Sequence, residues 1–195
     1  MGLYPYLPVL DEILSHVEIE KEVNLGLVQV PLKLVIGTST RARTNAFAGN
    51  FMPILDWGSE FSAKWAALSD SQMEEGIREP IKVYEYMNRY YVVEGNKRVS
   101  VLKYFDAVTI PAMVTRKVPK RTEDLENKIY YEFMDFNRVS GVNNIWFSKE
   151  GNFPKLLEVL GYEPDHMWTD DEKRDFASAY LAFSTTYGQK GGKKL

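Results

Sequence analysis

The stretch that decides the fold is Pro80-Ile81-Lys82-Val83-Tyr84-Glu85-Tyr86-Met87-Asn88-Arg89-Tyr90-Tyr91-Val92-Val93-Glu94-Gly95-Asn96-Lys97-Arg98-Val99-Ser100-Val101-Leu102-Lys103-Tyr104-Phe105. Residues 80–86 alternate as a strand does, and Met87-Asn88 sits where a two-residue hairpin turn belongs. Arg89 to Glu94 reads as the returning strand. Gly95 and Asn96 are turn residues. From Lys97 onward the spacing becomes helical, with Val99, Leu102 and Phe105 as the apolar stripe. A hairpin therefore feeds a glycine turn, which feeds a helix.

Outward from this segment, Val108 to Thr115 reads as another strand, ending in the basic run Arg116-Lys117-Val118-Pro119-Lys120-Arg121. Upstream, Leu27 to Ile36 is rich in β-branched residues and Leu and is bounded by Gly26 and Gly37, which predicts one strand. Pro31 inside it points to an edge or a bulge. A polar stretch, Gly37 to Asn45, carries hydroxyls and two arginines but no acid. Helix is expected from about Ser59, with Phe61, Trp65 and Leu68 on one face. Leu7, Leu10, Ile13, Leu14 and Val17 predict an N-terminal docking helix within residues 1–23.

Beyond Arg121 the texture is helical. Thr122 is the expected cap of a helix whose stripe is Ile129, Phe133 and Phe136. Glu123, Asp124 and Glu126 in its first turn suit the helix dipole. Phe153 to Leu160 is a short helix stopped by Gly161. Thr169-Asp170-Asp171-Glu172 matches a capping box. The helix that it opens carries Phe176, Tyr180, Phe183 and Tyr187, a stripe expected to be core, with Gly188 as its stop. The tail Gly191 to Leu195 reads as the start of a linker toward a further domain. The expected organisation is residues 1–23 as a docking helix, 24–120 as a small α/β domain and 121–195 as a helical extension. There is no internal repeat and no low-complexity tract.

Composition narrows the function. The 195 residues carry 24 Lys+Arg and 27 Asp+Glu, a net charge of −3, with 45% apolar and 26% charged residues. That is the mixture of a globular protein. No apolar run approaches the roughly 20 residues of a membrane helix, and no basic-then-apolar stretch opens the chain as a signal peptide does, so a cytoplasmic protein without a membrane partner is expected. The absence of cysteine excludes disulfides, thiolate nucleophiles, iron–sulfur clusters and Cys-type zinc sites. His16 and His166 are too far apart in the chain to form a local metal motif.

The chemistry concentrates at Glu94-Gly95-Asn96-Lys97-Arg98. A helix N-terminus presents unpaired N–H groups and about half a positive charge. A glycine there admits close approach to the backbone, and Lys97 and Arg98 add two full charges. Basic residues in a first turn oppose the helix dipole, so their placement suggests an anion site, most naturally for phosphate. An ordinary solvated turn explains the same residues equally well.

This run resembles the core of the ParB N-terminal and sulfiredoxin superfamily: a strand reading "PI-x-V" (Pro80 to Val83), a second strand (Tyr90 to Glu94), and a G-x-x-R turn opening a helix (Gly95-Asn96-Lys97-Arg98). The resemblance spans roughly residues 24–118. It implies a small mixed sheet with packed helices, an α/β (α+β) fold, whose turn binds the phosphates of a nucleotide such as ATP or CTP, with or without Mg²⁺. On that resemblance Gly95 and the N–H groups of Asn96, Lys97 and Arg98 cradle phosphate, and Arg98 contacts its oxygens. Glu94 is the candidate for a base or a Mg²⁺ ligand, against the plainer reading of a strand-end ion pair. Arg41 and Arg43 are candidates to fold over the same pocket. Relatives hydrolyse CTP and clamp DNA, repair oxidised cysteine with ATP, phosphorylate free serine, or act as nucleases. Sulfiredoxin activity is excluded by the missing cysteine. Asn96 and Lys97 depart from the turn residues typical of the serine kinases and partition proteins, so the site type carries over better than the reaction.

Two other readings stand beside a nucleotide-binding module of a regulatory or DNA-associated protein. Between Glu79 and Arg121 nine basic residues face four acidic ones, a local net charge of +5, which permits backbone contact with DNA, as in a nuclease or a transcriptional regulator. No base-reading motif is visible. The acidic residues of the C-terminal helices, from Glu158 to Asp175, would repel DNA. The other reading is a sensor that binds a ligand without turnover. Oligomeric state is open on the sequence.

Overall fold

The computed structural model describes residues 6–54 and 58–190. It divides into two units, Met1–Arg121 and Thr122–Leu195. The first is built on a five-stranded mixed sheet in the order β1-β5-β3-β4-β2. The strands are β1 Ile19–Pro31, β2 Val35–Thr38, β3 Ile81–Tyr86, β4 Arg89–Glu94 and β5 Thr109–Pro119. β1 and β5 are antiparallel, β5 and β3 parallel, β3 and β4 antiparallel, and β4 and β2 parallel.

The hairpin of β3 and β4 turns on Met87 and Asn88, both with positive φ (51° and 54°). That is the sign a two-residue turn needs to match strand twist. Gly95 then starts α3, Asn96–Tyr104. Ile81, Val83, Tyr90, Val92, Val99, Leu102, Ile110, Ala112 and Val114 bury their side chains together as the core.

Two expectations about the N-terminal part are corrected. The docking helix is a single turn, α1 Leu10–Leu14, and residues from Ile19 onward belong to β1. The single strand over residues 27–36 is in fact two: β1 ends at Pro31, which has no N–H to continue a ladder, and a 3-10 turn, Leu32–Leu34, leads into β2. The helix expected from Ser59 is α2, Glu60–Glu74, with the Ser59 hydroxyl accepting from the Ser62 N–H.

The basic run after Val114 is also not a free run. β5 continues to Pro119, and Arg116 lies on its inward face. Parallel pairing puts it opposite Glu85 of β3, which is 0% exposed. The two side chains form an ion pair, and the second Glu85 oxygen accepts the Asn88 N–H at 2.7 Å. The carboxylate thus serves both the sheet and the hairpin turn.

The second unit contains α4 Leu125–Ser140, α5 Asn152–Leu160 and α6 Asp170–Gln189. Ile129, Phe133 and Phe136 are buried in it, as their spacing predicts. The N-cap of α4 is Asp124 rather than Thr122, whose hydroxyl instead accepts the Asp124 N–H. The Thr169–Glu172 capping box is present. α6 passes through Gly188 to Gln189 and has no buried residue, so its aromatic stripe is not core over its whole length. The predicted linker start, Gly191 to Leu195, lies outside the described residues. Among the described residues no helix is long and apolar enough to cross a membrane.

Two measurements follow from these packed charges. Glu85→Ala strands Arg116 without its carboxylate, and chemical denaturation should show a loss of about 3–5 kcal/mol. Lys103 of α3 donates to the Val35 carbonyl at 2.8 Å, and burial lowers its pKa to about 8 from an ordinary 10.5. Above pH 8 the unfolded chain holds a proton that the folded chain has released, so this group makes stability rise between pH 8 and 10, by at most about 1.4 kcal/mol per pH unit. Lys103→Met should lack that rise. Burial raises the Tyr91 pKa to about 12, so stability should fall again once unfolded tyrosine ionises near pH 10.

Candidate functional site

The turn between β4 and α3 is forced on the chain by contact. Gly95 has φ +106°, and a Cβ on it would lie 2.4 Å from Ile81 Cγ2 of the adjacent strand. Only glycine accepts both the conformation and the approach. As N-cap it offers no side chain, and the first helical hydrogen bond is Val99 N–H to the Gly95 carbonyl at 3.0 Å. The first turn of α3 is therefore open on its N–H side.

That opening faces a cleft of about 300 Å³ lined by Phe47, Phe61, Leu68, Val93, Glu94, Gly95, Asn96, Lys97 and Arg98. α2 supplies the Phe61 and Leu68 wall. It is tied to α3 by the Trp65 indole N–H, which donates to the Ser100 hydroxyl at 2.9 Å, and by Trp65 packing edge-on to Tyr104. The floor is apolar and aromatic, and the rim is charged.

Each candidate residue has a definite place. Asn96 is 7% exposed, and its Oδ1 is buried with no hydrogen-bond partner. An unpartnered buried amide oxygen costs roughly 1–3 kcal/mol. Lys97 holds its ammonium 4.7 Å from the centroid of the Phe61 ring, a cation–π contact at the cleft wall. Arg98 has a side chain only 12% exposed. Its Nη1 donates to the carbonyls of Glu79 (3.1 Å) and Pro80 (2.7 Å) and lies 3.3 Å from the Glu79 carboxylate. It therefore latches the entry of β3 to α3, and it borders a second cleft with Leu68, Glu75 and Arg78.

Glu94 is exposed, 2.7 Å from Lys82 and 3.7 Å from Arg98. The hydrogen bond from Lys82, then its charge, holds the Glu94 carboxyl below its ordinary pKa, with a smaller contribution from Arg98. The observed role of Glu94 is that of a strand-end ion pair, the plainer of the two readings of the sequence.

Arg41 does not line this cleft. It pairs with Glu12 across a separate opening of about 920 Å³ that includes Tyr6, Ile36 and Tyr91. Arg43 lies in the same 3-10 turn, Arg41–Ala46, and its side chain is outside the described residues. The sequence reading missed the aromatic wall of the cleft. The only signal available was the spacing of Phe61 and Leu68 along α2.

The basic surface counted from residues 79–121 is partly offset by acids from outside that segment. β1 runs antiparallel to β5, which sets Lys117 at 2.5 Å from Glu22 and Lys120 at 3.1 Å from Glu18. Arg116, Lys82 and Arg98 pair with Glu85, Glu94 and Glu79, acids already within that count, so the excess falls only by the two charges of Glu18 and Glu22, from +5 to +3.

No protein-family model and no curated protein matches the chain. Solved structures do. One is sulfiredoxin from Arabidopsis thaliana, at 23% identity over 45% of this chain and 82% of that one, with a TM-score of 0.32. Another is C-terminally truncated ParB, a chromosome-partitioning protein from Caulobacter crescentus complexed with CTP-gamma-S, at 16% identity over 82% of this chain and 86% of that one, with a TM-score of 0.33. These neighbours are of the superfamily that the sequence resembles. The mixed α+β architecture expected from the sequence is present.

Gly95→Ala should destabilise the protein by about 2–4 kcal/mol, the combined cost of a left-handed non-glycine residue and an overpacked contact. Trimming the obstructing side chain in Gly95→Ala/Ile81→Ala should not add a full Ile81→Ala loss to that figure. Denaturation of the two singles and the double gives the coupling directly.

Proposed function

We propose that the cleft at Gly95–Arg98 binds a phosphate-bearing nucleotide, and that it works as a binding module of a regulatory protein rather than as a hydrolase. The observation that carries the reading is a nine-residue helix with no side-chain cap whose first residues, Asn96 to Arg98, line a cleft. The backbone N–H groups of the first turn suit a phosphate. Lys97 is the nearby cation. Phe47, Phe61, Leu68 and Val93 offer apolar and aromatic surface for a base, and Asn96 Oδ1 offers an acceptor. Adenine, cytosine and guanine each carry an exocyclic amino donor for such an acceptor, so the titration, and not this atom, decides among the bases.

Binding without turnover is favoured by Glu94, whose carboxylate is engaged by Lys82 and Arg98 and so is not free to activate water. The pairing of the basic residues on β5 with acids of β1 and β3 gives no comparable support to the DNA reading.

Isothermal titration with ATP, CTP, GTP and ADP, each with and without Mg²⁺, tests the site. Arg98→Ala is a poor probe because it also removes the latch on Glu79 and Pro80. Lys97→Met and Asn96→Ala are better, and each should weaken binding about tenfold, the size of one charge-assisted or buried hydrogen bond. Failure of every nucleotide to bind the folded wild-type chain would overturn the reading. Release of inorganic phosphate would overturn the assignment as a non-catalytic module.

A further inference from the structure

The second unit holds a cleft of its own, of about 490 Å³. Phe136 of α4 and Phe153 of α5 form its buried base and pack on each other, with ring centroids 5.3 Å apart. Pro154, Tyr162 and Pro164 are its more exposed apolar lining. The chain turns back at Gly161, whose φ is +77°, and the Tyr162 N–H donates to the Leu157 carbonyl at 2.9 Å. That turn brings Tyr162 and Glu163 to the cleft.

Charge decides the occupant. Every charged residue of the lining is acidic: Glu132 and Asp135 of α4, Glu158 of α5, and Glu163 just past it. None of the four forms an ion pair with a described residue. The acids at the start of α6 differ in this, since Asp170, Asp171 and Glu172 pair with Lys173, Arg174 and His166. Glu132 is the most enclosed of the four. Its Oε1 accepts the Gly151 N–H at 2.7 Å, and its Oε2 is buried without a hydrogen-bond partner. A buried carboxylate oxygen without a donor is a costly arrangement, and an ammonium group is the donor of matching charge.

The arrangement also selects among cations. Among the described residues no three such side chains gather closely enough to hold a metal ion. The four charges reach the cleft from two elements, together with apolar side chains of both. A point cation meets such charges one at a time. A ligand with charges at both ends of an apolar stem meets several at once and covers the apolar lining as well. A lysine side chain has the stem but only one charge.

We propose that this cleft binds an aliphatic polyamine, with its methylene stem on the apolar lining and its ammonium groups on the carboxylates of α4 and α5. The site lies wholly within the second unit and is independent of the nucleotide reading.

Isothermal titration of the full chain with spermidine, without nucleotide and at physiological salt, should show one site. 1,5-Diaminopentane should bind about tenfold more tightly than 1-aminopentane, which has the same stem and a single charge. Asp135→Asn/Glu158→Gln should weaken spermidine binding about tenfold with an unchanged unfolding midpoint, since both residues are exposed. Asp70→Asn/Glu74→Gln removes two exposed acids of α2 and should leave binding unchanged. Absence of binding to the wild-type chain overturns the proposal. So does an equal loss in both double variants, which assigns the binding to net charge alone. Equal affinity for the two pentane amines overturns the two-ended arrangement. Displacement of spermidine by an equal concentration of Mg²⁺ overturns the proposal in favour of a metal ion, and tighter binding of an acetylated trilysine amide overturns it in favour of a basic protein segment.

Discussion

The first unit depends on one close approach, that of Gly95 to Ile81. The end of β4 and the start of α3 meet the beginning of β3 where there is room for a hydrogen and not for a methyl group. Because the glycine takes a left-handed conformation there, α3 starts directly at the end of β4, and its first residues line a cleft. Arg98, one turn further on, fixes the same junction from the other side by binding the Glu79 and Pro80 carbonyls. The steric contact sets the direction of the turn, and the arginine holds its position. An arginine placed in a first turn against the helix dipole is thereby accounted for by acceptors in the protein itself, before any ligand is considered.

The sequence made the hairpin, the glycine turn and α3 readable because each is governed by local rules. Alternation marks β3 and β4, two residues mark the turn, and a glycine marks the helix start. The first half of β1 obeys no such rule. Glu18, Glu20, Lys21 and Glu22 look like the solvated end of a helix, and from Ile19 onward the segment is an edge strand paired antiparallel with β5, whose Lys117 and Lys120 meet Glu22 and Glu18 from far along the sequence. The partner of Glu85 was hidden for the same reason. Alternation puts Glu85 on the buried face of β3, but only the parallel pairing with β5 shows that Arg116 meets it there. For α6, periodicity correctly indicated that Phe176 to Tyr187 share a face. It carried no information about what covers that face, and Trp168 reaches only its beginning.

The same long-range pairing changes the electrostatic reading. A count over residues 79–121 treats β5 as if it stood alone, whereas the sheet places a row of acids beside it. Two of the five excess positive charges thus have carboxylates beside them, which weakens the extended positive field on which backbone binding to nucleic acid relies without removing it. The acids were in the sequence all along, in a segment whose register could not be seen.

At the candidate site this has a further consequence. Arg98 is committed to protein carbonyls and Glu94 to Lys82, so neither charged residue is free to dominate recognition. What remains is the open backbone of α3, the Asn96 amide and the aromatic wall that α2 brings up, with Lys97 lying across Phe61. N–H groups fixed by a helix need no reorganisation to meet an anion, and a buried amide oxygen discriminates by the donor it lacks rather than by charge. A site built in this way gains its selectivity from shape and hydrogen bonding. The one acidic side chain among its lining residues, Glu94, is held in an ion pair with Lys82, and that pairing is what the proposed reading as a binding module rests on.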